Sequence, residues 1–217
     1  MTTSFADTHL KTFMIKNLVD ELPVLSRMER LRPDLYKNWN CIGCNLVSET
    51  ATHLWMCPAY SLILTDIISL TKIHLVNLLL QFPGFKNSSL LPELLDLFDN
   101  IFALPSSRND GYINIIKLRI PSSLVNLVHV ITRNKSKCFS TVTQLVSFFF
   151  KEIFEKVWKH RCQLLIAKEI SLGISKKIKF KKGVSSALDH STDDHVPSAW
   201  ETWIHMANKY GNSFSDF

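Results

Sequence analysis

The sequence predicts an all-α protein, and two observations carry this prediction. Glycine is scarce, at 6 of 217 residues, which is few for a protein built from strands and tight turns. Apolar residues recur every three or four positions along several segments, which is the period of an amphipathic helix. Because 46% of the residues are hydrophobic and 20% are charged, the chain can also bury a core.

Two short helices are predicted at the amino end. The first ends before Pro23, and the second lies between Pro23 and Pro33. The second helix turns Arg27, Arg30 and Arg32 outward. A solvated helix face is the simpler interpretation of these arginines, and contact with phosphate is the alternative.

Three cysteines and one histidine follow within seventeen residues: Cys41, Cys44, His53 and Cys57, separated by two, eight and three residues. Soft ligands at this spacing can close a tetrahedral shell around Zn²⁺. Buried thiols around a core histidine are the alternative interpretation. A disulfide is disfavoured because the chain has five cysteines, an odd number, and its polar amino terminus does not resemble a secretory signal. The sequence therefore predicts a small knuckle that holds one structural zinc ion.

Two polar residues stand just before the histidine of this motif. Thr50 can cap the helical turn that carries His53. Glu49 could accept the free ring N–H of His53 and so orient the imidazole. Both residues are expected to support the metal ligands without binding the ion themselves.

Eight residues of this stretch form a more specific pattern: Cys41, Cys44, Glu49, Thr50, His53, Leu54, Cys57 and Pro58. The pattern resembles the zinc-binding domain found near the carboxyl end of non-LTR retrotransposon reverse transcriptases. The likeness is most specific over about residues 8 to 70, and it predicts such a domain over residues 8–82. Two departures are Ile42, where many members have proline, and three residues instead of four before the last cysteine. Neither departure removes a ligand.

The resemblance implies a zinc module that accompanies reverse transcription and helps to engage DNA or RNA, with a reverse transcriptase or another protein as a partner in trans. No polymerase site is predicted here, because the adjacent Asp193 and Asp194 lie in a polar segment without strand character. A shell of four protein ligands leaves no position for a reacting water. We therefore expect a non-catalytic protein. A helical scaffold for protein interaction, or a relic of an element without function, is the alternative.

Further helices are predicted after the motif, at about 59–82, 90–104, 113–119 and 122–131. The first of them is apolar enough to raise the question of a membrane. Asp66, Lys72 and His74 favour a buried helix of a soluble protein instead, because ionisable groups are costly inside a bilayer. No membrane partner is expected.

The longest apolar stripe runs from residue 141 to residue 172 and predicts one long spine helix. Its apolar side includes Leu145, Phe149 and Trp158, and Gly173 follows where a helix-ending glycine belongs. The earlier helices are expected to pack against it. Together, residues 89–173 form the predicted helical domain.

A change of composition after Gly173 predicts a mobile basic and polar linker over residues 174–197, followed by a terminal helix over 198–210. Five lysines of this linker account for most of the net charge of +6, so a polyanion would meet a basic segment rather than a basic globule. A solvated tail or a nuclear import signal are the alternatives, and we expect an intracellular protein, nuclear rather than cytoplasmic. With the three arginines, the predicted phosphate contacts are Lys176, Lys177, Lys179, Lys181 and Lys182.

Overall fold

The regular secondary structure of the described residues is helical throughout. The structure, a computed structural model, describes residues 5–86, 90–105 and 110–180, and within them it contains helices but no strand. This confirms the predicted all-α class. The predicted terminal helix over 198–210 lies outside the described residues, as do most of the predicted linker, Lys181 and Lys182.

The helices follow the predicted order, with boundaries that shift by a few residues. A 3₁₀ turn, Pro58–Tyr60, precedes the helix Ser61–Leu79. A π-helical turn, Phe154–Trp158, joins the helix Lys135–Ile153 to the helix Lys159–Ser171. The α-helices are α1 Phe5–Leu18, α2 Leu25–Leu31, α3 Pro33–Tyr36, α4 Ala51–Met56, α5 Ser61–Leu79, α6 Pro83–Lys86, α7 Leu91–Ile101, α8 Tyr112–Ile116, α9 Ser122–Thr132, α10 Lys135–Ile153, α11 Lys159–Ser171 and α12 Lys176–Phe180.

The helices α10 and α11 and the π turn between them continue into one another, and we call residues 135–171 the spine. The spine begins six residues before its predicted start, because Asn134 caps it: the side-chain oxygen accepts a hydrogen bond from the N–H of Lys137 (3.0 Å). Of the six additional residues, Cys138 is buried, whereas Phe139 is 75% exposed. One buried residue does not make a periodic apolar stripe, so the cap was the available sequence signal for this start.

The other end of the spine matches the prediction. Gly173 has a φ of +71°, a left-handed conformation that a glycine adopts without strain. Its N–H bonds back to the carbonyl of Ile170 (3.0 Å), and the N–H of Ile174 bonds back to that of Glu169 (2.8 Å). This pair of bonds is a Schellman motif, which ends the helix.

The larger hydrophobic core of the described residues extends along the spine. The helices α5 and α9 pack against α10, and aromatic rings from distant parts of the chain meet there. Phe13 of α1 contacts Phe154 (ring centroids 5.2 Å apart), and Phe102 contacts Phe149 edge-on (5.1 Å). The ranges 8–82 and 89–173, which the sequence separates, therefore share one core.

The segment Pro58–Leu79, which includes α5, is long and apolar enough to cross a membrane by length and composition alone, with a mean hydropathy of 1.6. A core helix of a soluble protein passes the same test. One side of α5 lies in the core, where Leu64, Ile67 and Leu75 are buried. On its outer side, Lys72 forms an ion pair with Asp99 of α7 (2.7 Å).

A smaller buried cluster holds the short helices near the motif against the carboxyl half of the spine. Leu25 of α2 and Tyr36 of α3 pack with Leu165 of α11. The hydroxyl of Tyr36 donates a hydrogen bond to the buried carboxylate of Glu169 (2.7 Å). The two short helices that precede the cysteines are thus anchored to α11.

Candidate metal centre

The first two cysteines lie on a tight loop between α3 and α4. The N–H of Asn45 donates to the carbonyl of Cys41 (2.8 Å), and the N–H of Cys41 donates to the carbonyl of Val47 (2.7 Å). Asn45 has a φ of +56°, a left-handed conformation that asparagine tolerates better than most residues. These bonds fold the two-residue gap so that Cys41 and Cys44 lie on one side of the loop.

The other two ligand candidates lie on and just after α4. Thr50 caps this helix as predicted, because its Oγ1 accepts a hydrogen bond from the N–H of His53 (3.0 Å). Cys57 follows the last residue of α4, and Pro58 then starts the 3₁₀ turn. The short helix therefore presents His53 in its first turn and Cys57 at its end.

The four predicted ligands come together. Their ligand atoms all lie within 4.8 Å of one another. The Sγ atoms of Cys41 and Cys57 are 3.7 Å apart, and Sγ of Cys44 is 3.4 Å from Nε2 of His53. Cys41 and Cys57 are buried, whereas Cys44 and His53 are partly exposed. A Cys₃His group of this size could hold one metal ion.

The protein surroundings oppose the ionisation of the two buried thiols. Burial raises the pKa of Cys41, and it raises the pKa of Cys57 to about 12. Burial acts in the same direction at Cys44, but hydrogen bonds from the N–H groups of Leu46 and Val47 and from the neighbouring thiols outweigh it, so the pKa of Cys44 is lowered. Because metals bind the thiolate, an ion entering this site must displace protons from Cys41 and Cys57.

Glu49 supports the site in a different way from the one predicted. Its Oε1 accepts hydrogen bonds from the N–H of Leu25 (3.0 Å) and from Nε of Arg161 (3.1 Å), and its Oε2 is 3.9 Å from Sγ of Cys41. The carboxylate thus lies beside Cys41, and Nε2 of His53 faces Cys44 instead. The reason is local: Thr50 is extended and turns its hydroxyl to α4, so the side chain of its neighbour points the opposite way, into the core.

The partner of this carboxylate, Arg161, is a residue of the site that sequence reasoning missed. Glu49 and Arg161 are both 0% exposed, and Nη2 of Arg161 also bonds to Oε1 of Glu49. The two residues are 112 positions apart, so no local spacing connects them. The sequence offered two signals: a glutamate next to a cysteine motif and an arginine within an apolar stripe. Charged residues at such positions are usually exposed to solvent, so neither signal predicted a buried pair.

The cations predicted to contact phosphate have protein partners in several cases. Arg27 pairs with Glu21, and Lys179 pairs with the buried Glu169. Arg32 pairs with Asp34 (2.6 Å) and with carbonyls of α12. Among the described members of the set, those with exposed side chains are Arg30, Lys176 and Lys177.

Some of these contacts involve residues 174–180, the described part of the predicted linker. Residues 176–180 form α12, a short helix next to the end of the spine. Nη1 of Arg32 donates to the carbonyl of Ile178 (2.8 Å), and the ammonium of Lys179 reaches the carboxylate of Glu169. The polar composition of this run did not indicate these two bonds, although Arg32 is partly buried and Glu169 is buried.

Comparisons with protein-family models, with curated proteins and with solved structures each give no match for this chain. The function proposed below is therefore inferred from the geometry of the cluster and from the chemistry of its ligands.

Proposed function

We propose that Cys41, Cys44, His53 and Cys57 bind one structural zinc ion, and that the chain is a non-catalytic zinc module. The observation that carries this proposal is the pair of distances across the cluster. Zn–S bonds of about 2.3 Å and Zn–N bonds of about 2.0–2.1 Å, at tetrahedral angles, place two sulfurs about 3.8 Å apart and sulfur and nitrogen about 3.5 Å apart. The corresponding separations here are 3.7 and 3.4 Å.

The ligand set also favours zinc by its chemistry. Three thiols and an imidazole suit a borderline-soft ion with no geometric demand of its own, and zinc sites of this composition are structural. Four protein ligands fill a tetrahedral shell, so no position is left for water or substrate. The role proposed for the ion is to fix the loop and α4 between the amino-terminal helices and the spine.

The direct test is the metal content of the wild-type protein, purified without chelator. We expect one equivalent of zinc per chain by elemental analysis, because an ion held by four protein ligands exchanges slowly and survives dialysis. Protein that folds with the same helical content and contains no zinc would contradict the proposal.

Two wider roles are compatible with a structural zinc. The resemblance of the motif to the zinc-binding domain of non-LTR retrotransposon reverse transcriptases supports a module that works beside a polymerase or another protein in trans. The first role that we infer is a helical scaffold for protein interaction. It is supported by the ion pairs of Arg27, Arg32 and Lys179, because side chains that pair within the protein are less available to phosphate. Co-purification of a protein partner with the zinc-loaded chain would support it.

Binding to DNA or RNA is the second candidate role, and it is supported by the exposed side chains of Arg30, Lys176 and Lys177. Each phosphate contact releases counterions, so binding would weaken steeply as salt is added. In a filter-binding titration, the double substitution Lys176→Gln and Lys177→Gln should reduce the slope of log affinity against log salt by about 0.7–0.9 per lost contact.

The matched control for that titration is Lys151→Gln, which removes an exposed lysine from the spine and should leave the slope unchanged. A wild-type affinity that does not vary with salt would contradict the nucleic-acid role and would leave the zinc proposal intact.

A further inference from the structure

Two buried polar atoms have no hydrogen-bond partner within the described part of the chain: Oη of Tyr60 and Nη1 of Arg161. Their residues are 1% and 0% exposed. A buried donor that is left unpaired costs about 1–3 kcal/mol, so such atoms are rare and each one needs an explanation. Both lie beside the metal centre.

The phenol of Tyr60 lies directly against the loop that carries the first two cysteines. A Cβ atom added to Gly43, between Cys41 and Cys44, would stand 3.0 Å from both Cζ and Oη of Tyr60. The missing side chain of Gly43 is therefore what lets the hydroxyl approach the loop. Tyr60 also follows Cys57 within the 3₁₀ turn, so its backbone is tied to a third ligand.

The charges of the site act on the same hydroxyl. Burial raises the pKa of Tyr60, and negative charge at Cys41, Glu49 and Cys57 raises it further, whereas the positive charge of Arg161 acts in the opposite direction. The phenol therefore keeps its proton, which is available for donation.

A neutral thiol accepts hydrogen bonds weakly, so the thiols without a metal are poor acceptors for the hydroxyl of Tyr60. A divalent ion with three thiolates and a neutral imidazole carries a net charge of about −1, which is costly to bury without donors around it. Backbone N–H groups already face two of the sulfurs, those of Gly43 and Cys44 at Cys41 and that of Ala59 at Cys57. Arg161 contributes positive charge through Glu49, whose Oε2 is 3.9 Å from Sγ of Cys41.

We propose that Tyr60 is a positioning residue of the metal site, whose buried hydroxyl donates a hydrogen bond to the Cys41–Cys57 sulfur pair when the ion is bound. This inference rests on the proposed zinc site and adds a function for a residue outside the ligand set. The bond draws negative charge away from sulfur and holds the loop against the 3₁₀ turn. Both effects strengthen retention of the ion.

The test is Tyr60→Phe, which removes the hydroxyl and keeps the ring. The affinity for Zn²⁺, measured by competition with a chelator, should fall about tenfold or more, the range typical of lost partners around metal ligands. With Co²⁺ as a spectroscopic substitute, the sulfur-to-metal charge-transfer band should move to longer wavelength, because a sulfur without the hydrogen bond gives up an electron more easily. A purely structural role of the ring would not move this band.

Tyr36→Phe is the matched control, since Tyr36 is also buried and its hydroxyl donates to Glu169 rather than to the site. It should keep the wild-type affinity and band. If Y60F lost its helical content, Gly43→Ala would decide, because it retains the hydroxyl while its Cβ would press on the phenol. A loaded G43A with the wild-type band would then overturn the proposal, and a displaced band would support it.

The outcomes separate this inference from the zinc proposal. A wild-type protein that binds one ion, together with a Y60F variant of unchanged affinity and unchanged band, overturns only the role of Tyr60. A wild-type protein that binds neither Zn²⁺ nor Co²⁺ overturns the zinc site itself.

Discussion

Cys57→Ser should abolish stoichiometric zinc binding and loosen the segment from Trp39 to Tyr60. A serine hydroxyl is a poor zinc ligand, and structural sites of this kind contribute apparent binding energies of about 10–16 kcal/mol. Such an energy exceeds the net stability of a typical domain. The measurements are elemental analysis after dialysis and hydrogen exchange of the backbone amides, in which residues 39–60 should lose protection.

The core along the spine should persist in this variant, because the apolar contacts of α5 and α9 with α10 do not pass through the ion. Cys138→Ser is the matched control: Cys138 is also buried, but it lies on the spine, with its thiol 3.4 Å from the carbonyl of Val125. That variant should keep one equivalent of zinc. Full zinc content in C57S would show that the cluster does not bind metal through Cys57.

Arg161→Met should lower the free energy of unfolding by about 3–5 kcal/mol. The substitution leaves the carboxylate of Glu49 buried beside Cys41 without its charged partner, and an unpaired buried charge is costly. Urea denaturation monitored by circular dichroism measures the change. The double variant Glu49→Gln with Arg161→Met should recover much of the loss, because it removes both charges and keeps an acceptor for the N–H of Leu25.

Lys159→Met provides the comparison on the same helix. Lys159 forms an exposed ion pair with Glu155 (2.7 Å), and such pairs contribute about 0.3–0.5 kcal/mol. A loss in R161M no larger than the loss in K159M would mean that the buried pair contributes little. A double variant as unstable as R161M would show that the cost comes from lost packing of the arginine instead of from the unpaired charge.

The sequence was informative wherever structure depends on neighbours along the chain. The spacing of Cys41, Cys44, His53 and Cys57 predicted the cluster, and Thr50 and Gly173 predicted a helix start and a helix end. These features involve residues a few positions apart or a short loop. Local rules of ligand spacing and capping therefore reach them.

Sequence reasoning did not find the bonds that join distant segments. The pairing of Glu49 with Arg161 and that of Arg32 with α12 connect residues more than a hundred positions apart. A charged residue in an amphipathic pattern is ordinarily assigned to the solvated side, and only the three-dimensional packing shows that Arg161 is buried. The basic run at 176–180 is a similar case, since its partners are Arg32, which lies between α2 and α3, and Glu169 of α11.

The π turn at Phe154–Trp158 determines the directions in which the side chains of α11 point around the axis of the spine. The N–H of Lys159 bonds to the carbonyl five residues earlier, so the turn accommodates one more residue than an α-helical turn would. Each residue of an α-helix advances the side chains by about 100° around the axis. A strictly α-helical rod of the same length would turn Arg161 away from Glu49 and Leu165 away from Tyr36. The widened turn thus sets the rotation that directs Arg161 and Leu165, in the carboxyl half of the spine, toward the segments around the metal centre.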